Sequence, residues 1–310
     1  MSKSTRGTIG VYDCQVLAHY KFEGEQYIIT LSSAEIARET KPGQFVHISV
    51  SDALPMRRPI SIMSVDVENK TFDLLYKNVG EGTRQLAERK IGEFVSVIGP
   101  IGVGFKLTDN KRPLLIGGGV GMPPMIAIAQ QLQNDSNYSP FAILGSEVPF
   151  PFDEKVAENG VDYGGATHTM PLLEDWGIEC RLASLQNYVG VYQGYVTDLA
   201  REYLSTLSTD ELAQVEIYSC GPHPMLEAVA KLAAELNLPC QVSLEEFMAY
   251  HKTFYGPNNA VLIVAGDIDS EKTEALVRKY FDEVPTGNKV VRNFPKEEPI
   301  TEPVFKEVYG

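Results

Sequence analysis

Three short segments hold the residues best suited to do chemistry. Arg57-Arg58-Pro59-Ile60-Ser61-Ile62 offers two guanidinium forks and a hydroxyl. Arginine can grip a diphosphate with paired donors. Pro59 removes one backbone donor and stiffens the strand entry, and Ser61 can set its hydroxyl beside a ring system. Gly117-Gly118-Gly119-Val120-Gly121-Met122-Pro123-Pro124 lets a backbone approach a pyrophosphate closely. Cys220-Gly221-Pro222-His223-Pro224-Met225 puts a thiol at a candidate strand end. In this order the three imply a flavin site followed by a nicotinamide site. Each alone also fits a plainer duty: a solvated arginine pair, a tight turn, or a cysteine acting as a small buried hydrophobe.

The elements around these segments fall into two patterns. From Gly7 to about Gly104, short apolar runs alternate with turns. Gln26–Leu31, Gln44–Val50, Ile60–Val65, Thr71–Tyr76 and Phe94–Ile98 read as strands. Gly24, Pro42-Gly43, Asn69 and Gly92 supply the turns between them. Such spacing predicts a small antiparallel barrel. One helix interrupts it, capped by Thr83 and continuing through Arg84–Arg89. Gly80-Glu81-Gly82 before it is either an anion-binding helix start or an ordinary turn.

The second pattern is a doubly wound sheet. Pro113–Ile116 is continuously apolar, as a strand buried on both faces should be. The glycine loop follows, and Pro123 and Pro124 open a helix over Met125–Leu132. Strand, glycine loop and helix start form the dinucleotide-binding arrangement, although the spacing is not G-x-G-x-x-G. Phe141–Gly145 and Cys180–Ser184 are further strands. A helix over Val196–Leu204 starts near Gly194 or Thr197, and the strand Val215–Cys220 leads into a helix over Pro224–Leu236. Ligands of such sheets sit beyond the strands' carboxyl ends, which sets Cys220 near a nicotinamide. Glu147, just past its strand, is either a solvated carboxylate or a ribose acceptor that repels a 2′-phosphate and favours NAD.

Length and composition bound the alternatives. The 310 residues suggest two domains and a small extra piece, and a hydrophobic share of 44% supplies packed cores. A net charge of −14 disfavours nucleic acid as a partner. There is no signal-peptide pattern and no long apolar run, so the expected setting is the cytoplasm with no membrane span. Cys14, Cys180, Cys220 and Cys240 form no ligand-like cluster, and the five histidines show no metal spacing.

The motifs resemble those of the ferredoxin–NADP reductase superfamily. Arg58-Pro59-Ile60-Ser61 is similar to its flavin-binding stretch, Gly80-Glu81-Gly82-Thr83 to its second flavin-phosphate loop, Gly99-Pro100-Ile101-Gly102 to the turn at its barrel end, and Cys220-Gly221-Pro222 to its nicotinamide-side motif. Over about residues 7–249, the arginine motif, the glycine loop and Ser243-Leu244-Glu245-Glu246-Phe247-Met248-Ala249 resemble the electron-transfer subunits of type B dihydroorotate dehydrogenase. The resemblance implies FAD, NAD(H), a [2Fe–2S] cluster, and an FMN-containing dihydroorotate dehydrogenase catalytic subunit as partner in pyrimidine biosynthesis. It assigns Arg58, Pro59, Ile60, Ser61, Gly80, Gly82 and Thr83 to the flavin. It assigns Cys220, Gly221 and Pro222 to the nicotinamide side; with Gly118, Gly119 and Gly121 for the pyrophosphate and Glu147 for the ribose, read from the residues above, these make up the nucleotide site, and Cys220 and Ser61 are expected beside the reacting rings.

The chain departs from that family after Ala249. The family continues into a cysteine-rich segment, whereas here Tyr250-His251-Lys252-Thr253 follows and no cysteine occurs after Cys240. A [2Fe–2S] centre needs four ligands, mostly thiolate, so no metal site is expected. Phe254–Asp267 is similar instead to a stretch of insulinase/pitrilysin-type metallopeptidases, without that family's zinc motif. A strand there, a helix over Glu271–Glu283 and an extended tail over Pro295–Pro303 are expected.

The expected architecture is therefore β plus α/β. An antiparallel FAD-binding barrel occupies 1–107, a doubly wound parallel-sheet NAD-binding domain 108–249, and a small αβ segment 250–310 in place of the iron–sulfur domain. The expected function is a flavoprotein oxidoreductase passing electrons between NAD(H) and FAD. The alternatives are a stand-alone ferredoxin or flavodoxin reductase and an electron-transfer-defective chimeric subunit.

Overall fold

The computed structural model describes residues 9–50, 54 and 56–244. Its amino-terminal half is a closed antiparallel barrel of β1 (Gly10–Phe22), β2 (Gln26–Ser32), β3 (Phe45–Ile48), β4 (Arg58–Asp66), β5 (Thr71–Lys77) and β6 (Phe94–Ile101), in the order β1–β2–β5–β4–β3–β6. Pairing of β1 with β6, from Gly10 opposite Gly99 to Gln15 opposite Phe94, closes it. Closure leaves no open sheet edge. Period-two burial builds the interior from Ile29 and Leu31 of β2 and from Phe72, Leu74 and Tyr76 of β5.

Two helices, not one, accompany these strands: α1 (Ala34–Glu39) and α2 (Glu81–Ala87). Ser33 caps α1 by accepting from the Ile36 N–H at 3.2 Å. Helix α2 begins at Glu81, with Gly80 as its N-cap, so Thr83 is inside the first turn and is not the cap. Its hydroxyl accepts from the Val79 and Gly80 N–H groups at 3.0 and 3.1 Å. Leu86 anchors the helix in the barrel core.

The second half is a parallel sheet ordered β12–β11–β8–β7–β13–β14. Its elements are β7 (Arg112–Gly118), α3 (Met122–Leu132), β8 (Phe141–Gly145), a small antiparallel pair β9 (Lys155–Val156) and β10 (His168–Thr169), α4 (Pro171–Asp175), β11 (Glu179–Ser184), β12 (Tyr192–Gln193), α5 (Val196–Ser205), α6 (Thr209–Leu212), β13 (Val215–Gly221), α7 (His223–Glu235) and β14 (Cys240–Leu244). Helices α3 and α4 cover one face, and α5 and α7 cover the other. Every residue of β8 and β13 is buried, as a doubly covered parallel sheet requires. Helix α3 starts at Met122, earlier than expected, because Pro123 and Pro124 fit inside its first turn. Helix α5 starts at Val196, between Gly194 and Thr197, and its N-cap position is Tyr195. Asp198 accepts from the Tyr195 N–H at 3.3 Å.

Barrel and sheet belong to one compact unit. Met63 and Leu75 of the barrel pack in the same core as α3. Gln26 donates to the Pro149 carbonyl at 2.7 Å. The connecting segment is fastened where Gln241 donates to the Lys106 carbonyl at 2.7 Å. Glu245–Ala249 and the elements expected between 250 and 310 lie outside the described residues.

Candidate active site

After β7 the chain moves to β8, β11 and β12 on one side, then returns to place β13 on the other. The carboxyl ends of β7 and β13 therefore flank the switch point of the sheet, where ligands of such folds bind. Gly117 pairs with Cys220 across it. The glycines there have separate reasons. Gly119 has φ +56° and open space where a Cβ would stand. A Cβ on Gly121 would overlap the carbonyl oxygen of Cys220, so glycine at 121 permits β13 to come close. Gly118 and Gly221 are both covered by Met225, with its Sδ and its Cε each 2.5 Å from where a Cβ would be. Met225, five residues after Cys220, thus covers the glycines of both strand ends, a role that its place in the motif does not reveal.

Cys220 is 2% exposed and packs in the core that also takes Met63 and Leu75 of the barrel. Its side chain is thus on the face of the sheet toward the barrel. Pro222 is the N-cap of α7, so Gly221 and Pro222 bring that helix's first turn to the crevice. Glu147 is exposed beyond the end of β8, one strand over from β7. It is not in the crevice itself.

On the barrel side the two arginines do different work. Arg57 donates to the Ser96 carbonyl at 2.7 Å and to the Ser96 hydroxyl at 3.0 Å, tying the start of β4 to β6. Arg58 reaches the first turn of α2. A Cβ on Gly82 would overlap the Arg58 Nε, so glycine at 82 makes room for this guanidinium. Among the described residues, the hydrogen bond of Arg58 is one from Nη1 to the Met56 carbonyl at 2.7 Å. A fork of donors beside the open start of α2 is a fit for a diphosphate such as that of FAD.

Along β4, Ile60 and Ile62 point into the barrel core. Pro59 and Ser61 take the opposite face, which they share with Met63 and hence with the sheet side. Ile60 can offer a ligand only its backbone, whereas Ser61 can offer its hydroxyl. Thr83 spends its hydroxyl on the turn that shapes the loop. His47 pairs with Pro59, and burial, then the Arg57 guanidinium, lower its imidazole below the usual range.

The iron–sulfur ligand set finds no such fit. Cys14 lies in the barrel core, Cys180 is buried in β11, Cys220 is the penultimate residue of β13 and Cys240 begins β14. Among the described residues no group of three or more His, Cys, Asp or Glu could hold a metal ion.

Known proteins resemble this chain in sequence and in fold. The dihydroorotate dehydrogenase B (NAD(+)) electron transfer subunit of Bacillus cereus (strain B4264) is 36% identical over 230 residues, covering 72% of this chain and 77% of that protein. The chain belongs to the family of dihydroorotate dehydrogenase B electron-transfer subunits. The corresponding subunit of Bacillus anthracis (strain A0248) matches over the same extent. Among solved structures, an NADH-dependent reduced ferredoxin–NADP oxidoreductase superposes with a TM-score of 0.61 at 23% identity, covering 76% of this chain and 77% of that one. The ferredoxin reductase of carbazole 1,9a-dioxygenase gives 0.57 at 20% identity, covering 76% and 69%. These two show the shared fold. The family model for the peptidase M16 inactive domain matches residues 241–308. Its first residues, Gln241–Leu244, are the end of β14. This electron-transfer subunit therefore passes from flavoprotein to peptidase-like sequence within the last strand of its sheet or just beyond it.

Proposed function

We propose that this chain accepts hydride from NADH onto a tightly bound FAD, in the cytoplasm, as the electron-transfer component for an FMN-containing dihydroorotate dehydrogenase catalytic subunit. The observation that carries this reading is the pairing of Gly117 with Cys220 at the switch point, with the Cys220 side chain in the core that also takes Met63 of β4. FAD, when bound, supplies the ring that takes the hydride. Arg58 and the backbone at Gly80–Gly82 neutralise the diphosphate. The turn at Gly119 admits the nucleotide's pyrophosphate, and Gly118, Gly121, Gly221 and Pro222 shape its walls. Cys220 and Ser61 bound the space in which the two rings meet. Glu147 accepts from a ribose hydroxyl and disfavours NADPH.

Purification and anaerobic mixing test this. The full chain should be yellow, release FAD on denaturation, and bleach on addition of NADH. Colourless protein that takes up no added FAD would overturn the reading. Bleaching by NADPH ahead of NADH would remove Glu147 from the ribose.

A further inference from the structure

We infer that these 310 residues hold no iron–sulfur centre, so that the chain's reducing equivalents are stored on its flavin alone. The inference deepens the reading just given and rests on it for the flavin. The chain has four cysteines, and the fold fixes where each of them is. Cys240 pairs with Ile217, three residues before Cys220 on the neighbouring strand. That separation is about 10 Å along the strand direction. Cys180 is opposite Ala142, Ala142 opposite Leu115, and Leu115 opposite Tyr218. Three strand spacings, about 14 Å, thus divide Cys180 from β13. Cys14 belongs to a different core, with Val16, Ile29 and Val95 in the barrel. No two of these thiols share a site, and even a ligand set with two histidines needs two thiolates side by side.

Burial also withdraws these thiols from solvent: it pushes Cys14 up to about 12, and Cys180 and Cys240 up to about 11. An acceptor of these electrons must therefore dock directly beside the flavin.

The test uses the full chain, as purified and again after anaerobic incubation with ferrous iron and sulfide followed by desalting. Iron and acid-labile sulfide are assayed, and the protein is titrated with dithionite under EPR. The expected result is trace iron, no [2Fe–2S] signal and two electron equivalents per chain, which is the capacity of a flavin. Stoichiometric iron and sulfide with a third equivalent and a [2Fe–2S] signal would overturn the inference. Protein that is both colourless and iron-free would uphold this inference and overturn the flavin reading, so the two failures are distinct.

Discussion

Gln130 grips the backbone of Val65 with both ends of its amide. The Val65 N–H donates to Oε1 at 3.0 Å, and Nε2 donates to the Val65 carbonyl at 2.8 Å. One residue of α3 thereby substitutes for a strand partner at the end of β4, and it joins the sheet to the barrel. Gln130→Ala should lower stability by about 1–2 kcal/mol, because a partly buried backbone pair loses its partner. Flavin reduction by NADH should slow several-fold at unchanged FAD content, since the two halves must align their ligands. Urea denaturation and stopped-flow absorbance check the two effects separately.

Arg58 should govern flavin affinity. Arg58→Ala removes charge-assisted bonds worth about 1.5–3 kcal/mol, which weakens FAD by about 10- to 100-fold. Arg58→Lys should fall between, having charge without the fork. Gly82→Ala should also weaken FAD, because its methyl group displaces the same guanidinium. Equilibrium dialysis of FAD measures all three.

Two glycines of one loop should respond differently to alanine. Gly121→Ala drives a methyl group into the Cys220 backbone, so stability should fall by about 1–3 kcal/mol. Gly119→Ala meets open space and pays only for its φ of +56°, about 1 kcal/mol. Its larger effect should be a raised KM for NADH at near-normal melting temperature. Equal melting temperatures for the two variants would contradict this division.

Glu147→Gln should narrow the preference for NADH over NADPH by admitting the 2′-phosphate, with little change in the NADH rate. Paired stopped-flow traces with the two donors report it. An unchanged ratio would place the ribose elsewhere.

His47 should make the barrel sensitive to acid. Its imidazole is held below its usual range by burial and by Arg57, so the unfolded chain binds a proton more readily than the folded one. The stability linked to His47 is thus complete above about pH 6.5. It is lost as the pH falls through the lower folded value. Thermal melts between pH 5 and 8, on the order of the histidine range, should show this slope, and His47→Gln should flatten it.

Much of this could be read in the sequence, and the misses have physical causes. The barrel, the parallel sheet and the strand–glycine loop–helix unit are legible because burial imposes period two on β2 and β5 and continuous apolarity on β8 and on Pro113–Ile116 of β7. Strand β1 is not legible in the sequence. Its register shifts between Val16 and Ala18, and it exposes Val11, Leu17 and Tyr20 while burying Cys14 and Val16, so no single period runs through it. Helix α1 has six residues, too few for a helical repeat, and Ser33 was its one signal. Thr83 precedes the helical run and so has the look of a cap, but the backbone at Gly80 begins the helix. The roles of Gln130 and Met225 depend on what lies across the fold from them, which spacing along the chain does not encode.

The closure of β1 on β6 also sets an order of assembly. Every strand of the barrel has been made once Ile101 is synthesised. Strand β7, by contrast, has β13 as one neighbour, and Gly117 meets Cys220 only after the intervening residues have been made. Domains form as units and in order during synthesis, and distant pairings form slowly. The flavin-binding half can therefore be folded while the nucleotide-binding half still lacks a central strand. Until Gln130 reaches Val65, nascent chains would hold the barrel with one side of β4 uncovered, and a flavin present at that moment would meet its arginine before its dinucleotide partner has a site.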